Sequence, residues 1–160
     1  MRILVVSDTH RYQKNLYDLF YELKNIDFVI HCGDFEGYED EIEGACRVPF
    51  VGVAGNNDFC SYLPRERVVE LEGHKIFVTH GHAYGVSHGT QRIIEEAKKR
   101  GCDIALFGHT HYPTYSTTGT LQVMNPGSIS LPRQASGNPS YGIIELKEDG
   151  TADCRLYEME

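Results

Sequence analysis

Five short apolar runs in this chain each lead directly into residues of the types that can ligate metal ions. Ile3-Leu4-Val5-Val6 leads to Ser7-Asp8-Thr9-His10, and Phe28-Val29-Ile30 to His31-Cys32-Gly33-Asp34. Val51-Gly52-Val53-Ala54 leads to Gly55-Asn56-Asn57-Asp58, and Ile76-Phe77-Val78-Thr79 to His80-Gly81-His82. Ile104-Ala105-Leu106-Phe107 leads to Gly108-His109-Thr110-His111. Unbroken apolar runs of this length read as buried strands. In α/β sheets ligands bind beyond the carboxyl ends of the strands, so five such ends can converge on one crevice. Extended segments there would point Asp8 and His10 to one side, and likewise His109 and His111. Gly33, Gly55, Gly81 and Gly108 permit the tight turns and close backbone approach this needs.

Between these runs the pattern changes period. Gln13 to Lys24 places Leu16, Leu19, Phe20 and Leu23 on one helix face. Glu39 to Cys46 reads as a short helix, and Thr90 to Arg100 as a charged amphipathic one stopped by Gly101. Three hairpins are expected: Arg65–Leu71 with His74–Thr79 around Glu72-Gly73, Thr114–Ser116 with Leu121–Met124 around Gly119, and Tyr141–Leu146 with Thr151–Tyr157 around Asp149-Gly150. In the last strand Ala152, Cys154 and Leu156 share one face, and Asp153, Arg155 and Tyr157 the other. Alternating strands and helices followed by hairpins suggest two mixed sheets packed face to face with helices outside. No repeat, low-complexity tract or linker interrupts residues 1–160, so one domain is expected.

Composition narrows the function classes. At 160 residues, 41% hydrophobic and 24% charged, the chain can build a core, which excludes disorder and a disulfide-dependent miniprotein. The net charge of −8 argues against binding duplex nucleic acid, which needs clustered Lys and Arg. No apolar run approaches the roughly 18 residues of a membrane span, and Met1–Val6 turns polar too early for a signal peptide. The five cysteines are scattered, with no C-x-x-C pair, as expected of reduced thiols in the cytoplasm. A homo-oligomer is compatible with all of this.

The candidate ligands are Asp8, His10, Asp34, Asn56, His80, His109 and His111. They are too many for one four-coordinate ion and enough for two ions sharing a carboxylate. Oxygen and imidazole donors without thiolate suit Mn²⁺, Fe, Co²⁺, Ni²⁺ or Zn²⁺ over a structural thiolate zinc site. Turn-forming residues after a strand would explain one such motif; five in one short chain call for a shared cause.

Asp8-x-His10, Gly33-Asp34, Gly55-Asn56-x-Asp58, His80-Gly81-His82 and Gly108-His109-x-His111 resemble, in order, the five blocks of the calcineurin-like metallophosphoesterase superfamily. The short chain and Asn125-Pro126-Gly127-Ser128 are similar to its small bacterial and archaeal phosphodiesterase branch. The resemblance implies a four-layer α/β/β/α sandwich, two mixed β-sheets flanked by helices, with a dinuclear centre at one end. Carried over by motif, Asp8, His10 and His111 would hold one ion, Asn56, His80 and His109 the other, and Asp34 would bridge. Two divalent ions are implied, Mn²⁺ first, with Ni²⁺, Fe, Co²⁺ or Zn²⁺ as alternatives. A hydroxide bridging them would attack phosphorus. The expected catalytic set is Asp34, Asn56, Asp58 and His82, and the expected substrate a small phosphodiester or nucleotide-like molecule. The alternatives are a phosphomonoesterase, or a non-catalytic scaffold of the same fold.

One position departs from the pattern. Much of the superfamily has His after the third-block Asn, as the proposed acid for the leaving alcohol or to orient phosphate; here Asn57 stands there and cannot supply a proton. General acid catalysis contributes about 10²–10⁴-fold, so leaving groups that need little protonation are favoured. Asn57 also suits a turn by its tolerance of left-handed backbone, and both readings can hold together. His82 is open between substrate contact, proton supply and orientation of a ligand, and Asp58 between a hydrogen bond within the site and a turn cap. His31 and Cys32 read as core or supporting residues, His74 and His88 as surface. Arg133 is a candidate for an anionic substrate, though an exposed loop Arg is the simpler reading, and Tyr38, Phe59, Tyr62, Tyr84 and Tyr112 flank the motifs.

Overall fold

β1 (Arg2–Val6) shows how the sequence builds layers. Its side chains alternate: Ile3 and Val5 face one apolar cluster, Leu4 and Val6 another, and all four are fully buried. A strand buried on both sides needs cover on both, and a computed structural model describing all 160 residues supplies it. One sheet has the order β10-β9-β1-β2-β3, with β2 at Phe28–His31, β3 at Phe50–Gly52, β9 at Ser140–Leu146 and β10 at Ala152–Glu158. The other has the order β4-β5-β6-β8-β7, from Glu66–Leu71, His74–Thr79, Ile104–Leu106, Thr114–Thr118 and Leu121–Asn125 for β4 to β8. β1 and β2, β2 and β3, β5 and β6, and β6 and β8 pair in parallel; the remaining pairs are antiparallel.

Ile3, Val5, Ile30 and Val53 meet Ile76, Val78, Ile104, Leu106 and Met124 between the sheets. On the outside of the first sheet, Leu4, Val6 and Val29 pack under α1 (Lys14–Glu22) through Leu16 and Leu19, and under α2 (Glu39–Ala45) through Ile42. On the outside of the second, Phe77, Ala105 and Val123 pack under α3 (Gln91–Lys99) through Ile93 and Ala97. The result is helix, sheet, sheet, helix, with two mixed five-stranded sheets. Burying each large aliphatic side chain contributes about 1.5–3 kcal/mol, so the three clusters dominate stability. No helix is long and apolar enough to cross a membrane.

All three expected hairpins form, with longer strands at 114–118 and 140–146. Glu72 (φ 50°) and Gly73 (φ 81°) make the double left-handed turn that matches strand twist. The third strand is shorter than expected, ending at Gly52. In β10, Cys154 is buried, while Arg155 pairs with Asp153 and Tyr157 stacks on Tyr141 at 5.5 Å. His74 corrects the sequence reading. It is 92% buried rather than on the surface, and its Nδ1 bonds Asp103 from the adjacent strand entry. A ring at the mouth of an apolar sheet needs a polar partner, and that partner lies 29 residues away. His88 is exposed and His31 and Cys32 are buried, as expected.

Candidate metal centre

The parallel strands β1, β2, β5 and β6 all end at the same edge of the sandwich, and β3 joins them there. Their following loops gather Asp8, His10, Asp34, His80 and His111, with the His109 ring 5.2 Å from that of His80 and Asn56 paired to His109. His10 Nε2 lies 3.1 Å from His111 Nε2, and His111 Nε2 lies 3.1 Å from Asp8 Oδ1. Asp34 Oδ2 is 3.4 Å from His80 Nε2 and 3.8 Å from His10 Nε2, so it stands between two groups. His109 Nδ1 faces Asn56 Oδ1 at 3.0 Å. Asp8, His10 and His111 form one cluster of donor atoms, and Asp8, Asp34 and His80 a second.

The backbone achieves this convergence differently from the extended geometry expected. Asp8, His10, Asp34, His109 and His111 all have φ between 48° and 70°, in the left-handed region. That region is disfavoured by about 1–2 kcal/mol for a non-glycine residue, and such strain persists only where surroundings impose it. The surroundings are visible. Asp8 N–H donates to Gly33 O (3.0 Å) and His10 N–H to Asp34 O (2.9 Å), tying the first loop to the second. Asp58 ties the second to the third: its carboxylate accepts the backbone N–H groups of Asp34, Phe35, Glu36 and Gly55 at 2.7–2.8 Å. With both oxygens so engaged, Asp58 acts on the site by holding its loops. Two glycines are obligatory for space. A Cβ on Gly55 would lie 2.1 Å from Asp34 Oδ1, and one on Gly108 2.0 Å from Ser7 Oγ and 2.6 Å from Asp8 Oδ2.

Hydrogen bonds also fix which atoms face inward. His80 Nδ1 donates to Cys32 O and His111 Nδ1 to Leu131 O, both at 2.7 Å, which leaves each Nε2 lone pair turned into the centre. His10 Nδ1 lies 3.4 Å from Glu36 Oε2, which favours the same tautomer. Ser7 Oγ (2.5 Å) and His109 N–H (3.1 Å) donate to Asp8 Oδ2 and leave Oδ1 inward. Asp8 Oδ1 and His80 Nε2 are buried and have no hydrogen-bond partner. Lone pairs packed at about 3 Å without donors are costly, and cations placed among them remove the cost. The donor set therefore fits metal ions.

Protonation shows the same pressure. Burial alone would raise the Asp34 carboxyl, but His80 and the Asn57 donors more than offset it and hold it below the usual carboxylate range. Asp8 is held low against its burial by His111, His80 and Ser7. Burial would lower His80, yet Asp34, Asp8 and the Cys32 carbonyl push it up. Burial, then the charge of His80, pushes His109 down. His31, fully buried, is pushed down to about 3 by burial; it accepts Gly33 N–H at Nδ1 (3.0 Å) and meets Thr9 Oγ1 at Nε2 (3.1 Å).

Asn57 is more than a missing acid. Its backbone N–H (2.9 Å) and side-chain Nδ2 (2.8 Å) both donate to the Asp34 carboxylate. His82 sits 5.5 Å from the His80 ring and 6.1 Å from the His109 ring, but its Nε2 is engaged by Arg65 Nη1 at 3.1 Å. Burial, then the charges of His80, Arg65 and His109, lowers its pKa. Arg133 meets the site only through its backbone N–H, on His111 O (3.1 Å), and its side chain is exposed. Tyr62 and Tyr84 direct their hydroxyls to Asp40 and Glu66.

Two contributors escaped the sequence reading. Ser128 Oγ donates to Asp8 O (2.8 Å) and accepts Ser130 and Leu131 N–H, while Asn125 Nδ2 donates to Gly108 O (3.0 Å) and Thr110 Oγ1 (2.8 Å). The Asn-Pro-Gly-Ser segment thus holds both the first and fifth loops, and its full burial was the only missing signal. A groove of 480 Å³ lies elsewhere, beside α1, lined by Phe20, Leu23, Ile26 and Val48. It contains none of the chemistry, and the donor geometry outweighs its size.

Comparison with known proteins agrees with this geometry. The model of the calcineurin-like phosphoesterase superfamily domain matches residues 1–149. The chain is 33% identical to a probable metallophosphoesterase, YsnB, of Bacillus subtilis, over 99% of this chain and 92% of that one. A predicted phosphoesterase from Streptococcus pneumoniae has the same fold (TM-score 0.81, 27% identity, 99% of this chain and 97% of that one). So does a structure described as a novel archaeal phosphodiesterase (TM-score 0.74, 28% identity, 98% and 100%). With five strand ends delivering the motif residues to one edge, the chain belongs to the calcineurin-like phosphoesterase superfamily, a family of metal-dependent enzymes, in its small bacterial and archaeal branch.

Proposed function

We propose that residues 1–160 form one metallophosphoesterase domain that hydrolyses small phosphodiesters with two divalent ions, Mn²⁺ foremost. The observation that carries this reading is Asp34 Oδ2, which stands between His10 Nε2 and His80 Nε2 while Asp8 Oδ1 and His80 Nε2 lack partners. Asp8, His10 and His111 would hold one ion, Asn56, His80 and His109 the other, with Asp34 shared. Such ions supply Lewis acidity toward phosphoryl oxygens and activate water at neutral pH.

The chain's own residues do the rest. Asn57 orients the Asp34 carboxylate, Asp58 fixes the loops carrying Asp34 and Asn56, and Cys32 O and Leu131 O set the His80 and His111 tautomers. No His stands at position 57, and His82 Nε2 is engaged by Arg65, so a proton donor for the leaving alcohol is lacking at both places. This supports diesters with good leaving groups over alkyl monoesters. Five thiols without a disulfide suit a reducing cytoplasm.

The test is metal analysis together with hydrolysis of bis-p-nitrophenyl phosphate in Mn²⁺. About two ions per chain and diester turnover exceeding monoester turnover are expected. Stoichiometric metal with no turnover on any phosphoester would instead favour a scaffold. Asn57→His should raise monoester turnover relative to diester turnover; unchanged rates for both would remove the argument from the missing acid.

A further inference from the structure

One cation beside the centre is not accounted for by the candidate ligands. Arg65 lies on the segment joining β3 to β4, and its backbone is pinned on both sides. Ala54 N–H donates to Pro64 O (2.8 Å), and Thr79 Oγ1 donates to Arg65 O (3.4 Å). Its side chain reaches the site, with Nη1 3.1 Å from His82 Nε2. A guanidinium only donates, so His82 Nε2 accepts and the ring proton is on Nδ1. That Nδ1 is buried without a partner.

Arg65 therefore leans on a neutral ring, with no carboxylate beside it. Arg2, Arg11, Arg100 and Arg155 each meet an acidic side chain. Among the arginines that do not, Arg65 is the one whose side chain hydrogen-bonds a residue of the cluster. Arg65 is exposed, and this contact is the one hydrogen bond its guanidinium makes, so the remaining donors of its fork are free. Two divalent ions, if held by Asp8 and Asp34 with a hydroxide and a phosphodiester monoanion, would already balance in charge. The Arg65 charge is left without a counter-ion, on the side of the site where His82 stands.

We propose that Arg65, propped against His82, forms a second anion subsite, and that the site's substrates are phosphoesters carrying a further anionic group near the scissile one. This rests on the phosphoesterase reading for what occupies the metal side. A planar guanidinium binds phosphate or carboxylate through paired donors, so the substrate's second group would be held in a fixed orientation.

The test uses binding, so that it stands apart from turnover. Thymidine 5′-phosphate and thymidine 3′,5′-bisphosphate are titrated calorimetrically into Mn²⁺-loaded wild-type protein and Arg65→Gln. Wild-type protein is expected to prefer the bisphosphate by about tenfold, the scale of one charge-assisted contact at an exposed site. Arg65→Gln should bring that ratio close to one, Arg65→Lys should restore part of it, and raised salt should narrow it. An equal loss for both nucleotides would make Arg65 only a support for His82 and overturn the subsite. An unchanged ratio, or no binding of either nucleotide, would overturn it as well. If the ratio behaves as expected while bis-p-nitrophenyl phosphate is not hydrolysed, the phosphodiesterase reading fails and the subsite stands.

Discussion

The two ends of the sandwich use the same unusual backbone for opposite purposes. At the far end, the hairpin turns place left-handed φ on Gly73, Gly119 and Gly150, where a Cβ would meet nothing within 4 Å. At the ligand end, left-handed φ falls on Asp8, His10, Asp34, His109 and His111, and the adjacent Gly55 and Gly108 have no room for a Cβ. Glycine at the far end relieves strain in turns surrounded by water. At the ligand end Gly33 and Gly81 share the positive φ, but five functional side chains carry it as well, against Glu72 alone in the far hairpin turns, and Gly55 and Gly108 make space for them. Strain held by surrounding contacts presets the geometry of a site at the expense of stability.

The strongest way to break this contrast is at Asp34. Asp34→Asn removes the charge between the two groups of donors. It should lower metal content from about two ions to below one and activity by at least about 10–100-fold. Near-normal occupancy by two ions would overturn its role as the bridge.

The glycines sharpen the contrast next. Gly55→Ala should push Asp34 out of place and cost about 10–100-fold in metal affinity. Gly150→Ala should leave metal affinity unchanged and cost about 1–2 kcal/mol of stability, a fall of a few degrees in Tm. Calorimetry on both variants checks the pair, and equal effects on metal binding would erase the difference between the ends.

A smaller effect should appear at Ser128, which holds the ligand end from beneath. Ser128→Ala leaves the Asp8 carbonyl and two N–H groups without their partner, at a cost of about 1–3 kcal/mol. Denaturant unfolding would measure it.

Acid should also act at the ligand end, through His31. Its folded pKa is depressed to about 3 from 6.5, so its contribution is fully present above pH 6.5 and is lost as pH falls toward 3. Metal-free protein should lose stability across that window in urea titrations. His31→Gln should flatten the profile there, and an unchanged slope would show that His31 does not stay neutral in the fold.

Much of this architecture was legible along the chain. The apolar alternation of Ile3 to Val6 assigned two faces to one strand, and Glu72-Gly73 and Asp149-Gly150 marked turns by local chemistry alone. The seven candidate ligands were legible because each follows a strand directly. Less legible were partners distant in sequence: Ser128 with Asp8, His74 with Asp103, Arg65 with His82, and Asn57 with Asp34. Those contacts depend on which loops become neighbours, and no local pattern encodes that.

By itself, the sequence determined the strands, the hairpins and the chemistry of the donor atoms, because periodicity, turn preference and ligand type are properties of residues close together in the chain. The tertiary structure decided how the donors meet. The extended geometry expected after the strands is replaced by left-handed residues, and Asp58, Ser128 and two carbonyls hold those residues in place. Such conformations are unfavourable locally, and they persist here because contacts made across more than 100 residues, such as His111 with Asp8, outweigh their cost.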